Sequence, residues 1–179
     1  DLGAGTAQIP IELVRRVPHL HITAIDAAES MLALAHQNIA TAGLTDRITL
    51  VRADAKRLAA TQSGACFDTG SYDVVISNSI LHHIPEPREV VAEAIRVTTP
   101  GGLLFHRDLC RPGDEAELDR IVNTYAAGAT PYQRKLFTDS LHAALTLDEM
   151  RQLVADFGFA IETVRMTSDR HWTWTAVKK

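Results

Sequence analysis

Short β-rich runs, each closed by a polar or acidic residue, alternate with amphipathic stretches at helical spacing, and this alternation constrains the fold more than any other feature. The runs are HITAID (21–26), ITLVRAD (48–54), YDVVISNS (72–79) and LLFHRD (103–108). Between them, Ile9, Leu13 and Val17 recur every four residues, with Pro10 tolerated in the first turn of a helix. A second helix is expected from Glu29 to about Ala42, burying Leu32, Ala35 and Ile39 and stopping near Gly43. A third, PEPREVVAEAIRV, carries Val91 and Ile95 and ends at the turn TTPGG (98–102). The order predicts an α/β fold in which a mostly parallel sheet has helices on both faces. The Val-Val-Ile block of the third run predicts a central strand covered on both sides.

The alternation breaks between 111 and 145, where two helices are expected: one after Asp114 with Leu118, Ile121 and Tyr125, another after Pro131 with Phe137, Leu141 and Ala144. This helical insertion is the expected substrate cap. Thr146 and Glu149 have capping-box spacing, Met150, Leu153 and Phe157 form a stripe, and Gly158 stands where a left-handed C-terminal residue is wanted. AIETVRM (160–166) and HWTWTAV (171–177) are expected to pair as an antiparallel hairpin, with Trp172 and Trp174 packed together on one face and Arg170 and His171 solvated at the turn.

A length of 179 residues with 46% hydrophobic content suits one domain, 1–179. The chain opens directly on DLGAGT, which ordinarily follows several residues of buried strand, so a first strand truncated at the N-terminus is expected. No apolar run is long enough to cross a bilayer, and a membrane partner is not expected. A net charge of −4 without clustered Lys or Arg disfavours a polyanion surface, hence a nucleic-acid partner. Cys66 and Cys110 form neither a CxxC nor a zinc-ligand pattern, which fits two reduced thiols in a cytoplasmic protein.

In open parallel sheets, ligands sit beyond the carboxyl ends of the strands. Those ends carry Asp1-Leu2-Gly3-Ala4-Gly5-Thr6, Asp26, Asp54-Ala55, Asn78-Ser79, and His106 with Asp108. Glycines at 3 and 5 permit a tight turn and close approach of a ligand. Asp26, about twenty residues on, is placed to accept both hydroxyls of an adenosine ribose. A nicotinamide cofactor would fit equally well up to this point. However, Gln8 stands where a dinucleotide loop has its third glycine, and an acid at Asp1 repels a pyrophosphate while suiting an ammonium and a sulfonium.

DLGAGTA resembles the first motif of class I S-adenosylmethionine-dependent methyltransferases, with Ala7 where that family more often has a third glycine. AIDAAESMLALA resembles the family's ribose segment, VRADAKRL its adenine segment, FDTGSYDVVISNSILHHIPEP its fourth-strand motif, and RVTTPGGLLF its LKPGG turn. The resemblance implies a three-layer Rossmann-like fold with seven strands, the last antiparallel. It implies S-adenosyl-L-methionine as cofactor, with Gly3, Ala4 and Gly5 behind the methionine moiety and Asp1 near its amino group. Asp26 and Ala27 would hold the ribose, Met31 the adenine face, Asp54 and Ala55 the adenine edge, and Asn78 with Ser79 the methionine end.

No catalytic residue is implied by methyl transfer itself, since alignment of acceptor, carbon and sulfur supplies much of the effect. His82, His83, His106 and Asp108 are candidates for holding or deprotonating an acceptor. The adjacent histidines are expected to point in different directions, and with no third ligand at a diagnostic spacing no metal is expected. The expected acceptor is a small molecule, because SNSI replaces the Asn-Pro-Pro-aromatic tetrapeptide associated with methylation of adenine or glutamine amino groups. Three rival readings are a protein or nucleic-acid methyltransferase with its recognition elements in a missing N-terminal part, a non-catalytic binding module, and a nicotinamide-dependent oxidoreductase. The last lacks its Tyr-x-x-x-Lys pair, Tyr132 and Lys135 being one residue too close.

Overall fold

The computed structural model describes residues 1–61 and 67–179; Cys66 lies outside the described residues. Contacts gather into two bodies, one of Asp1–Asn78, Glu89–Leu104 and Val177–Lys179, the other of Ser79–Arg88 and Phe105–Ala176.

The first body holds α1 (Gln8–Arg16), β1 (Ile22–Asp26), α2 (Glu29–Thr41), β2 (Ile48–Arg52), β3 (Tyr72–Asn78), nearly all of α3 (Pro87–Val97) and the first part of β4 (Thr98–Leu109). β1 and β2 are parallel, in register from Ile22 opposite Ile48 to Asp26 opposite Arg52. Leu2 forms isolated parallel bridges to Ile25 and to Ser77, between β1 and β3, where the truncated first strand was expected. Six strands are present among the described residues, not the seven that the resemblance implies, and Leu2 is an isolated bridge residue outside them.

The core of this body is Ala7, Ile11, Val14, Ile22, Ala24, Ala35, Ile39 and Ile48. Ala35 and Ile39 sit as the α2 stripe predicts, and Gly43 ends that helix at φ +68°. α1 departs from expectation: Ile9 and Val17 are 39% and 47% exposed, while Ile11 and Val14 face inward. The segment carries two apolar stripes, and left-handed Ala7, at φ 62° just before the helix, sets which one turns toward the sheet. β3 is also covered less than expected, because Val74 is 47% exposed whereas Val75 and Ser77 are buried. α3 buries Val90, Val91, Ala94 and Val97 instead of Ile95. The TTPGG segment is part of β4, and its Gly101 amide donates to the Lys178 carbonyl at 2.7 Å.

The second body contains the remainder of β4, then α4 (Glu115–Tyr125), α5 (Pro131–Ala143), α6 (Leu147–Asp156), β5 (Val164–Ser168) and most of β6 (His171–Val177). Each helix begins on a cap legible in the sequence. The Asp114 side chain accepts from the Glu117 amide, and Thr130 with Gln133 and Thr146 with Glu149 form capping boxes. The insertion has a small core of its own, Leu109, Leu118, Ile121, Val122, Ala126, Leu141 and Ala144, against which Phe137 packs. Tyr125, expected in that stripe, is 46% exposed; its hydroxyl donates to Asp169, and the Arg170 guanidinium lies 3.3 Å from its ring centre. In α6, Met150 and Val154 are fully buried, and Gly158 adopts φ +83°.

β5 and β6 pair antiparallel around the Asp169-Arg170 turn, Val164 opposite Trp174 and Met166 opposite Trp172. Both tryptophans are inaccessible, and Phe159 meets the Trp174 ring edge-on at 5.2 Å. Beside them lies His106, 1% exposed, its ring 5.3 Å from that of Trp174 and neither ring nitrogen hydrogen-bonded. Burial holds the His106 pKa down at about 4, from an ordinary 6.5, despite the opposing field of Asp108. His171 is lowered to about 4 as well, by burial and by Arg107 and Arg170. No helix of the described residues is long and apolar enough to cross a membrane.

Two outcomes follow from this packing. A left-handed L-residue costs about 1 kcal/mol, close to what burying the Ala7 methyl returns, so Ala7→Gly should stay within about 1 kcal/mol of wild type in urea unfolding. Ala7→Val should lose more than about 2 kcal/mol, since a β-branched residue at positive φ is strongly disfavoured. For His106, the unfolded chain takes up a proton below pH 6.5 while the folded chain does not until about pH 4. Stability is thus intact above that window and falls by about 3 kcal/mol on acidification through it. Urea midpoints across the window should show a shallower fall for His106→Phe; an equal fall would remove His106 as the cause.

Candidate functional site

In the first body, the Leu2 amide donates to the Ile76 carbonyl at 2.9 Å, and the Ala4 amide to the Ile25 carbonyl at 2.8 Å. The loop that follows has Gly3 at φ 73° and Gly5 at φ 54°. A Cβ at Gly5 would meet nothing within 4 Å, so conformation and not crowding calls for glycine there. The Gly5 amide donates to Asp26 Oδ2 at 2.9 Å, and the Ala28 amide donates to Asp26 Oδ1 at 2.8 Å. Half-buried Asp26 therefore braces the glycine loop and the entry to α2 at once, while each oxygen retains acceptor capacity.

Beyond Asp26, Ala27 is exposed and Met31 is 41% exposed. A recess of about 450 Å³ is lined by Ala27, Arg52, Ala53, Asp54 and Arg57. Asp54 Oδ1 accepts the Lys56 amide at 3.0 Å, its Oδ2 lies 3.8 Å from Lys56 Nζ, and Ala55 is buried. The two arginines of this recess both lie within the VRADAKRL segment, where neither was singled out as a site residue; Arg52 is held by Glu29 at 3.1 Å. Asn78 closes β3, and the next residue, Ser79, is left-handed at φ 59°, a strained conformation for a serine of the kind that clusters at functional turns.

The second body gathers three of the four catalytic candidates. Asp108 is 2% exposed, and its carboxylate accepts from the Leu81 amide at 2.6 Å, from its own neighbour's amide, Leu109, at 2.7 Å, and pairs with His82 Nδ1 at 2.5 Å. Two backbone amides and one imidazole thus converge on a single buried carboxylate. The His82 and His83 rings lie 3.9 Å apart at 46°, which corrects the expectation that they point apart. They share a 3-10 turn, Leu81–His83, whose tight winding brings neighbouring side chains together. Burial, and then the neighbouring His82, hold the His83 pKa below its ordinary value, while Asp108 opposes. α5 packs against this turn. His106, the fourth candidate, is sealed away among the tryptophans with no path to a ligand, and His171 is 8% exposed, not solvated, with its Nδ1 2.8 Å from Ser168 Oγ. No group of three metal-ligating side chains occurs among the described residues.

Residues 1–102 match the family model described as a methyltransferase domain. The ubiquinone/menaquinone biosynthesis C-methyltransferase UbiE of Roseobacter denitrificans is 30% identical over 170 residues, covering 89% of this chain and 64% of that protein. Among solved structures, a putative sarcosine dimethylglycine methyltransferase from Galdieria sulphuraria superposes with a TM-score of 0.65 at 24% identity, over 89% of this chain and 53% of that one. The plantazolicin methyltransferase BpumL, in complex with a monoazolic desmethylPZN analog and SAH, gives 0.72 at 17% identity, over 100% and 75%. At those identities the structures speak for the fold. The chain spans about half the length of the curated relatives it matches. A matched family model over more than half of its residues, on an α/β scaffold with a glycine loop braced by a strand-end acid, makes this chain a member of the methyltransferase-domain family, with the Rossmann-like fold of class I S-adenosylmethionine-dependent methyltransferases.

Proposed function

We propose that this chain binds S-adenosylmethionine and transfers its methyl group to a small-molecule acceptor by in-line displacement. The observation that carries this reading is the Asp26 carboxylate, held by Gly5 and Ala28 at a strand end with lone pairs to spare, beside a recess of about 450 Å³. That arrangement fits an adenosyl ligand: an acid for two ribose hydroxyls, an exposed methionine side chain for a flat ring, and a recess wide enough for the base. When bound, S-adenosylmethionine supplies a methyl carbon already activated by positive sulfur.

The residues of this chain divide the work of holding it. Gly3, Ala4 and Gly5 give backbone close behind the methionine moiety, and Asp1 faces its ammonium. Asp26 takes the ribose hydroxyls beside Ala27, and Met31 covers one face of the adenine. Asp54 Oδ2 accepts from the adenine amino group next to Ala55, and Asn78 and Ser79 shape the methionine end. Support for a small-molecule acceptor comes from the net charge of −4 and from the names of the relatives, which include quinone-biosynthesis enzymes and the methyltransferase of plantazolicin. The same charge and the unpaired Cys110 support a cytoplasmic protein without a nucleic-acid partner.

Calorimetric titration with S-adenosylmethionine, S-adenosylhomocysteine and NAD tests this reading. Micromolar binding of the two adenosyl ligands and none of NAD is expected. Asp26→Ala should weaken that binding by roughly 100-fold, the loss of two hydrogen bonds to a charged acceptor. An unchanged dissociation constant in a folded variant would remove Asp26 from the ribose, and binding of NAD alone would overturn the cofactor.

A further inference from the structure

The recess beside Asp26 is walled on one side by a stretch with little regular structure, which lends it Asp54, Arg57, Ala60 and Thr61. At its near end this wall is tied to β1, where the Ala53 amide donates to the Asp26 carbonyl at 3.1 Å. Its far end is a single 3-10 turn, Leu58–Ala60, preceded by Arg57, which makes no side-chain cap. Such a turn leaves its first amides without partners of their own. Both find one on α3: Glu93 Oε2 accepts from the Leu58 amide at 2.8 Å and from the Ala59 amide at 3.3 Å. Arg96, three residues along α3, grips the same carboxylate through Nε at 2.6 Å and Nη2 at 2.9 Å. Its Nη1 donates to the Phe67 carbonyl at 2.8 Å, so α3 also holds the chain where it returns toward β3. Hydrogen bonding to Arg96, ahead of the opposing cost of burial, keeps the Glu93 pKa below its ordinary value. An ion pair serving only α3 would be complete with its two members, yet this carboxylate also takes amides 35 and 34 positions earlier in the chain. All of these residues belong to the first body.

We propose, on the basis of the adenosyl-binding reading above, that Glu93 is a positioning residue of the cofactor site and that it sets, through the Leu58 and Ala59 amides, how strictly the recess selects adenine. Glu93 does not line the recess and acts through the wall it holds. The Ala60 amide donates to the Arg57 carbonyl at 3.1 Å, and the Arg57 amide to the Asp54 carbonyl at 2.9 Å. A displaced turn is therefore felt back along the wall at Asp54, the acid assigned above to the adenine amino group. Leu58, 1% exposed, anchors the turn in the core. One apolar anchor fixes a place and not an orientation, which the two directional bonds to Glu93 add. Selection of a base needs both, since a recess rejects a ligand lacking the right donor only if its own acceptor stays in place.

The test compares S-adenosylhomocysteine with S-inosylhomocysteine, which carries an oxo group in place of the adenine amino group, by calorimetry on the full chain. Wild type should prefer the adenosyl ligand by at least ~10-fold, the penalty for leaving the Asp54 acceptor unpaired. In Glu93→Ala the adenosyl ligand should weaken by about 10-fold, and the preference should fall to within about threefold of unity. Glu93→Gln keeps an oxygen for the two amides and should recover most of the preference. Ile48→Val, a core change at the opposite end of β2 from the recess, should leave the preference at its wild-type value. Amide exchange gives a readout that needs no variant. Because coupling is reciprocal, S-adenosylhomocysteine should slow exchange at Leu58 and Ala59 in the wild type more than S-inosylhomocysteine does. Three results would each overturn the proposal: no preference in the wild type, a preference unchanged in Glu93→Ala, or equal protection of those amides by the two ligands. Wild type that binds neither ligand would remove the adenosyl reading and this proposal with it, whereas the other failures occur with wild-type binding intact.

Discussion

The carboxylate of Asp26 joins two amides that the chain brings from different directions, Gly5 from the loop before α1 and Ala28 from the entry to α2. Everything around the recess depends on that pair of bonds. The glycine loop passes through positive φ at residues 3, 5 and 7, a path with no regular secondary structure to hold its amides, and the acid at the end of β1 supplies the acceptor that the loop lacks. The parallel register of β1 and β2 then sets Asp26 level with Arg52, so the brace and the recess form one continuous surface.

A second strand-end acid repeats the device in a drier setting. Asp108 is almost fully buried, and a buried carboxylate is tolerable only when its lone pairs are occupied. Two amides and one imidazole take three of its roughly four acceptor positions. The difference in exposure separates the two acids chemically. Asp26 is half-exposed and keeps capacity to accept from a ligand directly, whereas Asp108 is buried and holds a ring and two amides of its own surroundings. His106, two residues earlier on the same strand, shares the buried face but gains no partner, and burial leaves it neutral.

Local signals were legible wherever a single turn or cap decides the outcome. Asp114, Thr130 and Thr146 announce their helices, Gly43 and Gly158 end theirs, and the Asp169-Arg170 turn joins the expected hairpin, because each depends on hydrogen bonds or dihedrals within a few residues. The strand ends were legible too, and with them Asp26, since the alternation of strand and helix places every such end on one side of a parallel sheet. Even Ala7, met as a departure from a glycine, occupies the left-handed conformation that makes glycine the usual choice.

The sequence by itself determined the α/β order, the caps, the glycine loop and the strand-end acids, because these rest on short-range geometry and on hydrophobic period. Only the tertiary structure decided which of two apolar stripes of α1 faces inward and that Tyr125 leaves the core to meet Arg170 and Asp169. It alone decided that His82 and Asp108, 26 positions apart, meet in a hydrogen bond, while His106 is walled in. Such outcomes turn on which surfaces compete for burial and which polar atoms meet once the chain has closed on itself, and neither is written in the spacing of residues along it.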